Sequence, residues 1–220
     1  STEVTGCTSG GTFEIADNNL TAVSLDGFRM AVVKKNVISS GDIKVVIPSR
    51  ALLEITRLFE KDESLLKVYI QKNSLFLQME NTVLISRLIE GEFVKYNHIL
   101  PTNFENTVVV NRQALLRSIE RASVVARDDR YNVVKFDIKE DSMSVYAKSE
   151  VGEVNENVNI MLTGKDVMIA FNGKYLSEYL KIVSDEFITL NLNSSIDPCV
   201  ITLSNSNSYL YLVLPVRINN

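Results

Sequence analysis

The chain contains a single histidine, His98, among its 220 residues. One imidazole rules out a His-rich metal site and leaves little scope for a zinc hydrolase. A serine triad would have to be built on His98. That residue lies in Tyr96-Asn97-His98-Ile99-Leu100-Pro101 at a strand exit, where a satisfied or surface histidine is the ordinary reading. Cysteine is scarce as well. Cys7 and Cys199 are far apart and fit no metal spacing, so they read as two free thiols of a reducing compartment. Phosphate-cradling loops are missing, since Gly10-Gly11 stands alone and no P-loop or GxGxxG spacing occurs. No apolar run reaches the roughly 18 residues of a membrane span. The opening Ser1-Thr2-Glu3-Val4-Thr5-Gly6 lacks the basic-then-apolar order of a signal peptide. Carboxylates are scattered, and an acid–base pair among them stays open on sequence alone. These absences weigh against an enzyme, and no catalytic residue, metal or cofactor is expected.

What is present is ordinary for a globular chain: 45% hydrophobic and 23% charged residues, enough for one or two domains with real cores. The formal net charge of −4 argues against nucleic acid on every face, but not against one basic face.

A repeat organises the chain. Pro48 to Phe59 has helical apolar spacing, with Leu52, Ile55 and Phe59 on one side, and Asn172 to Val183 has the same pattern. Ser49 and Asn172 are the expected N-caps. The polar faces correspond too, since Arg50, Glu54 and Arg57 match Lys174, Glu178 and Lys181 at one constant offset. A hairpin around Asp17-Asn18-Asn19 matches one around Lys139-Glu140-Asp141. Alternating strands follow each helix, at Leu66–Ile70, Leu75–Met79 and Val83–Leu88, then at Phe187–Leu192, Val200–Leu203 and Tyr209–Leu214. Such alternation marks half-buried antiparallel strands. The expectation is two related α+β domains, residues 1–101 and 102–220. The second opens with a strand at Thr107–Val110 and a helix from about Asn111 to Ala126 that the first lacks. The first therefore reads as a domain missing its opening strand and helix, with a diverged domain that never had them as the alternative.

Positive charge gathers on the helices. Arg50, Arg57 and Lys61 lie on the first, Arg117 and Arg121 on the second with Arg127 and Arg130 beyond it, and Lys174 and Lys181 on the third. For one helix alone a polar stripe is ordinarily a solvated face. Three such stripes in an acidic chain point to phosphate, bound without reading sequence. Glu54, Glu120 and Glu178 are interspersed and would loosen the grip, and no aromatic residues interleave for stacking on single strands.

Several segments resemble the bacterial beta sliding clamp family. They are Leu20-Thr21-Ala22-Val23-Ser24-Leu25-Asp26-Gly27-Phe28-Arg29-Met30-Ala31-Val32, Val46-Ile47-Pro48-Ser49-Arg50, Arg87-Leu88-Ile89-Glu90-Gly91-Glu92-Phe93, Tyr96 to Pro101, and the terminal Tyr209-Leu210-Tyr211-Leu212-Val213-Leu214-Pro215-Val216-Arg217-Ile218. The resemblance covers about Thr12 to Ile218 and implies the second clamp domain without its start, followed by the whole third. It implies tandem processivity-clamp domains, with antiparallel sheets outside and helices lining an inner face through which duplex DNA passes. Arg50, Arg57, Arg117, Arg121, Lys174 and Lys181 would then face DNA.

The same resemblance implies a peptide pocket between the second and third domains for QLxLF-type motifs. These would be carried by the replicative polymerase catalytic subunit, the clamp loader and repair polymerases. The matching positions are Leu25, Gly27, Phe28, Met30, Val94, His98, Ile99, Tyr175, Leu212, Leu214, Pro215, Val216, Arg217 and Ile218. An exposed apolar cleft with a few anchors fits such a role, and the alternative for Leu212 and Leu214 is plain core. Val94 stands where the family often has Pro, and His98 where it often has Arg, so the rim would be less cationic. Asn219-Asn220 extend past the usual end. Val124 and Val125 would belong to the ring-closing surface. A full-length clamp is a head-to-tail homodimer in the cytoplasm at DNA, with no membrane association. This chain alone is expected not to close a ring. The competing reading is a protein-interaction module of α+β repeats with no DNA role.

Overall fold

The computed structural model describes residues 9–59, 65–79, 81–126, 132–150, 152–204 and 206–217. The chain forms two compact units, Ser1–Tyr96 and Asn97–Asn220. Both are built from antiparallel sheet with helices packed on it.

Unit 1 contains β1 (Gly10–Ala16), β2 (Asn19–Leu25), β3 (Arg29–Asn36), β4 (Ile43–Pro48), α1 (Ser49–Phe59), β5 (Lys67–Gln71), β6 (Ser74–Met79) and β7 (Thr82–Arg87). One sheet runs β3-β2-β1-β4 and the other β5-β6-β7. Between β1 and β2 the chain reverses through Asp17 and Asn18, with φ of 50° and 60°. Two left-handed residues match the twist of a hairpin, and Asp and Asn adopt that conformation at low cost. The two sheets meet where the Ile89 amide donates to the Val46 carbonyl at 2.9 Å. Their shared core is Ile47, Ala51, Leu75 and Leu77, with Phe13, Leu52, Ile55 and Leu84 packed against it. Burying a large aliphatic side chain of this kind stabilises by roughly 1.5–3 kcal/mol.

The start of α1 differs from the sequence expectation. Ser49 does not act as an N-cap; it lies in the first turn, and its hydroxyl donates to the Ser9 carbonyl at 2.6 Å. The register explains this. Gly10 pairs with Pro48, so Ser9 lies beside Ser49 and its carbonyl accepts the hydroxyl's hydrogen bond. Phe59 closes α1, and its side chain lies outside the described residues.

Unit 2 contains β8 (Asn106–Asn111), α2 (Arg112–Val125), β9 (Val133–Lys139), β10 (Ser142–Ser149), β11 (Gly152–Thr163), β12 (Val167–Asn172), α3 (Gly173–Ile182), β13 (Phe187–Leu192), β14 (Cys199–Leu203) and β15 (Ser206–Val213). Its strands run in the order β12-β9-β10-β11-β8-β13-β14-β15. The long strand β11 pairs first with β10 and then, from Ile160 on, with β8. Helix α2 packs on β8 to β11 and against α3, while α3 touches β12 and β15, the two ends of that order. The sheet therefore wraps around the helix pair. Beyond β15, the Val216 amide donates to Ala170 of β12 at 2.8 Å.

Helix α3 takes the cap that the sequence predicts, and α2 begins one residue after the expected start, capped by Asn111. The Asn111 side chain accepts from the Ala114 amide and that of Asn172 from the Lys174 amide, each at 3.0 Å. Leu115, Ile119 and Ala122 of α2 and Leu176, Tyr179 and Leu180 of α3 are buried. Tyr179 stacks on Tyr211 at 4.6 Å and meets Tyr209 edge-on at 5.3 Å.

The repeat is visible in the strands. The β1–β2 hairpin corresponds to β9–β10, α1 to α3, and β5–β7 to β13–β15. Among the described residues of unit 1 nothing corresponds to β8 or α2. There β5 has no partner strand on its outer edge, whereas β13 is paired along its length by β8.

Candidate functional site

The helices carry the first set of candidates. Apolar spacing directs one face of each helix onto sheet, which leaves the charged face outward. Arg50, Arg57, Arg117, Arg121, Lys174 and Lys181 are all exposed. Their charges are not equally available. On α1, Arg57 pairs with Glu54 at 2.8 Å, and on α3 Lys174 stands 3.9 Å from Glu178. Lys181 of α3 reaches across to Glu120 of α2 at 2.8 Å. Arg121 pairs through two nitrogens with both carboxylate oxygens of Glu156 on β11. Arg50 and Arg117 form no ion pair among the described residues. The interspersed glutamates noted in the sequence thus bind particular cations. Lys61, Arg127 and Arg130 lie outside the described residues.

Glu156 is the residue that sequence reasoning missed. It shares the inward register of β11 with Val154, Val158 and Ile160, among which Val158 and Ile160 are buried. A third hydrogen bond reaches it from the Ser118 hydroxyl at 2.9 Å, on a residue only 3% exposed. The hydrogen bond from Arg121, with that from Ser118, holds the Glu156 carboxyl below the usual carboxylate range, against the opposing effect of burial. The signal available in the sequence was a charge at an apolar position of an alternating run.

The second set of candidates falls in both units. In unit 1, Leu25 closes β2 and Met30 lies in β3, buried, with a tight turn between them. One Asp26 carboxylate oxygen accepts from the Phe28 and Arg29 amides, both at 3.1 Å, and the other accepts from the Arg29 guanidinium at 2.8 Å. Gly27 supplies the left-handed residue of this turn, at φ 86°. The turn presents Phe28 to solvent, 51% exposed. Val94 is also exposed.

In unit 2, His98 and Ile99 are exposed. Tyr175, in the first turn of α3, is half-buried, and its carbonyl accepts from the Tyr211 hydroxyl at 3.0 Å. Leu212 is core at 2% exposure, Leu214 and Arg217 are exposed, and Pro215 and Val216 are half-buried. The Tyr211–Tyr175 and Val216–Ala170 bonds bring the strand after β14, its tail and the start of α3 together. Ile218 lies outside the described residues. At the end of α2, Val124 is 63% exposed and Val125 half-buried.

Unit 1 also has an open cleft of about 580 Å³ ringed by Lys44, Lys72, Lys95 and Glu92, which contains none of the sequence candidates. Among the described residues there is no cluster of metal-ligating side chains, and no helix long and apolar enough to cross a membrane.

Two family models match. "DNA polymerase III beta subunit, central domain" covers residues 3–95, and "DNA polymerase III beta subunit, C-terminal domain" covers residues 97–217. The beta sliding clamp of Streptococcus pneumoniae is 32% identical over 204 residues, which is 91% of this chain and 54% of that protein. The solved DNA polymerase sliding clamp of Bacillus subtilis superposes with a TM-score of 0.94 at 26% identity, over 100% of this chain and 59% of that one. A putative DNA polymerase III beta subunit from Eubacterium rectale gives 0.93 at 31% identity, over 99% and 60%. The chain belongs to the beta sliding clamp family, whose members are non-catalytic processivity factors. It spans about half the length of the curated relatives it matches.

Proposed function

We propose that the chain forms part of a DNA sliding clamp that encircles duplex DNA and so confers processivity on the replicative DNA polymerase. The observation that carries this reading is that helices of both units bury their apolar faces on sheet and turn cations outward, in a chain matched to clamp domains along nearly its whole length. Arg50, Arg57, Arg117, Arg121, Lys174 and Lys181 are the residues that meet the phosphate backbone, with Arg50 and Arg117 contributing most because they are free of ion pairs among the described residues. Such contacts carry no sequence information, which suits a ring that slides.

Partners are the polymerase catalytic subunit, the clamp loader and repair polymerases, bound through QLxLF-type peptides. The residues proposed to take the peptide are Leu25, Gly27, Phe28, Met30 and Val94 of unit 1, with His98, Ile99, Tyr175, Leu212, Leu214, Pro215, Val216, Arg217 and Ile218 of unit 2. Exposed Phe28, Ile99 and Leu214 support this reading as contact points for apolar anchors. Val124 and Val125 belong to the head-to-tail homodimer surface of the whole clamp, which works in the cytoplasm at DNA.

A second reading, an interaction module with no DNA role, draws on the four helix cations already held in ion pairs. Binding to a mixed-sequence duplex as a function of salt separates the two. For the clamp, charge reversal at Arg50 and Arg117 lowers affinity and makes the log–log salt slope shallower by about 0.9 per lost phosphate contact. An unchanged slope favours the module. Titration with a QLxLF-type peptide, followed at Tyr175 and β15, tests the peptide site, and no binding at high micromolar peptide overturns it.

A further inference from the structure

We propose that Glu156 is a positioning residue that competes with phosphate for Arg121, so that α2, whose Arg112 is held by the Leu180 and Asp185 carbonyls, offers a duplex one ready cation, Arg117, where its exposed face carries two. The inference rests on the reading of the helix faces as a duplex-facing surface.

The ion pairs on these helices are of different kinds. Arg57–Glu54 and Lys174–Glu178 join exposed neighbours on one helix. Pairs of that kind are weak and reorganise easily, so an arriving phosphate displaces the glutamate at little cost. Lys181–Glu120 spans two helices, with both side chains about half exposed. Arg121–Glu156 is built differently. Its carboxylate comes from a strand, with a side chain only 24% exposed, so the acceptor is fixed before the arginine arrives. Two guanidinium nitrogens meet two carboxylate oxygens, the planar fork-to-fork match that makes arginine pairs strong. Ser118 fixes one of those oxygens from beneath. A phosphate must therefore break a bidentate contact to recruit Arg121, and it leaves behind a partly covered carboxylate that carries like charge.

Arg117, one turn earlier on the same helix, is exposed and has no such partner among the described residues. The two arginines look equivalent in sequence and are unequal in the fold. Glu156 thereby sets how many phosphates α2 neutralises, and so how steeply the grip responds to salt.

The test is duplex binding by the whole chain, using a fluorescently labelled mixed-sequence DNA duplex across a salt series. Glu156→Gln keeps the size of the side chain and its capacity to bond Ser118 while removing the charge. The expected result is several-fold tighter binding at low salt and a slope steeper by about 0.9, the value for one added phosphate contact. Adding Arg121→Ala to Glu156→Gln abolishes that gain. A carboxylate that merely anchors α2 to the sheet would change stability and leave the slope alone. If Glu156→Gln leaves the slope unchanged while Arg117→Glu lowers it, the competition is wrong and the surface reading stands. If neither the unmodified chain nor Glu156→Gln binds duplex at low salt, the surface reading falls and the proposal with it. Should Glu156→Gln fail to fold, Ser118→Ala loosens the same carboxylate; a smaller gain in the same direction is expected, and no gain overturns the proposal.

Discussion

The guanidinium of Arg112 donates to the carbonyl of Leu180 at 2.9 Å, so the first residue of α2 closes the last turn of α3. Its Nε also donates to the Asp185 carbonyl at 2.9 Å. The last carbonyls of a helix lack partners within it and carry partial negative charge, which a cation offsets. Arg112→Ala leaves those half-buried acceptors unsatisfied and is expected to destabilise unit 2 by about 2 kcal/mol. Urea unfolding measures the loss, and amide exchange near Leu180 should quicken. A change below about 0.5 kcal/mol would mean that water replaces the guanidinium adequately.

Gly164 tests a different constraint. Its φ is 130°, and a Cβ there would lie 2.4 Å from Asn106 Oδ1 and 2.5 Å from the Glu105 carbonyl. Asn106 is itself committed, accepting from the Lys165 amide at 2.7 Å and donating to the Asn193 carbonyl at 3.0 Å. Gly164→Ala combines backbone strain with overpacking and is expected to cost on the order of 2–3 kcal/mol. A thermal midpoint matching that of the unmodified chain would refute it.

Cys199 is fully buried, and burial pushes its thiol up to about 12. At pH 8 the thiol is then held in its protonated form, and the thiolate is the reactive form. Iodoacetamide should leave the Cys199 peptide unmodified in the native chain and alkylate it in urea, as read by mass spectrometry. Rapid native labelling would show that β14 opens far more readily than its burial implies.

The Arg121–Glu156 pair gives a pH dependence with a definite sign. The folded-state carboxyl is depressed, so its stabilisation is complete above the unfolded value of about 4.3 and is lost as pH falls through the lower folded value. The stability gap between the unmodified chain and Glu156→Gln should hold steady near neutrality and close in acid. A gap that persists at the lowest pH where the chain stays folded would place its origin elsewhere.

Much of the fold was legible because the signals were local. Alternation in Val134 to Ile138 and Met143 to Tyr146 became β9 and β10, whose residues alternate between buried and half-buried. Apolar spacing and Asn111 set the bounds of α2 closely. Ser49 misled, because which acceptor a hydroxyl finds depends on the strand beside it, and the Gly10–Pro48 register decided that. Glu156 was invisible for a related reason. Its partner lies on a helix far away in sequence, and no local pattern records which of two arginines a strand carboxylate will reach. The turn at Asp26, which holds Phe28 out in solvent, rests on side-chain bonds to the backbone that the sequence pattern did not show.

The position of β8 has a consequence for how unit 2 comes to be folded. This strand opens the unit, yet both its pairing partners, β11 and β13, come later in the chain. On a ribosome it emerges with Val108, Val109 and Val110 and no neighbour to cover them. Closing such distant pairs is slow, and an unpaired apolar strand is an aggregation hazard while it waits. Helix α2, which follows at once, can cover one side of β8 but neither of its edges. The unit should therefore gain its stability late and in a single cooperative step, once β13 has been made, and a chain stopped short of Phe187 should be a substrate for chaperones.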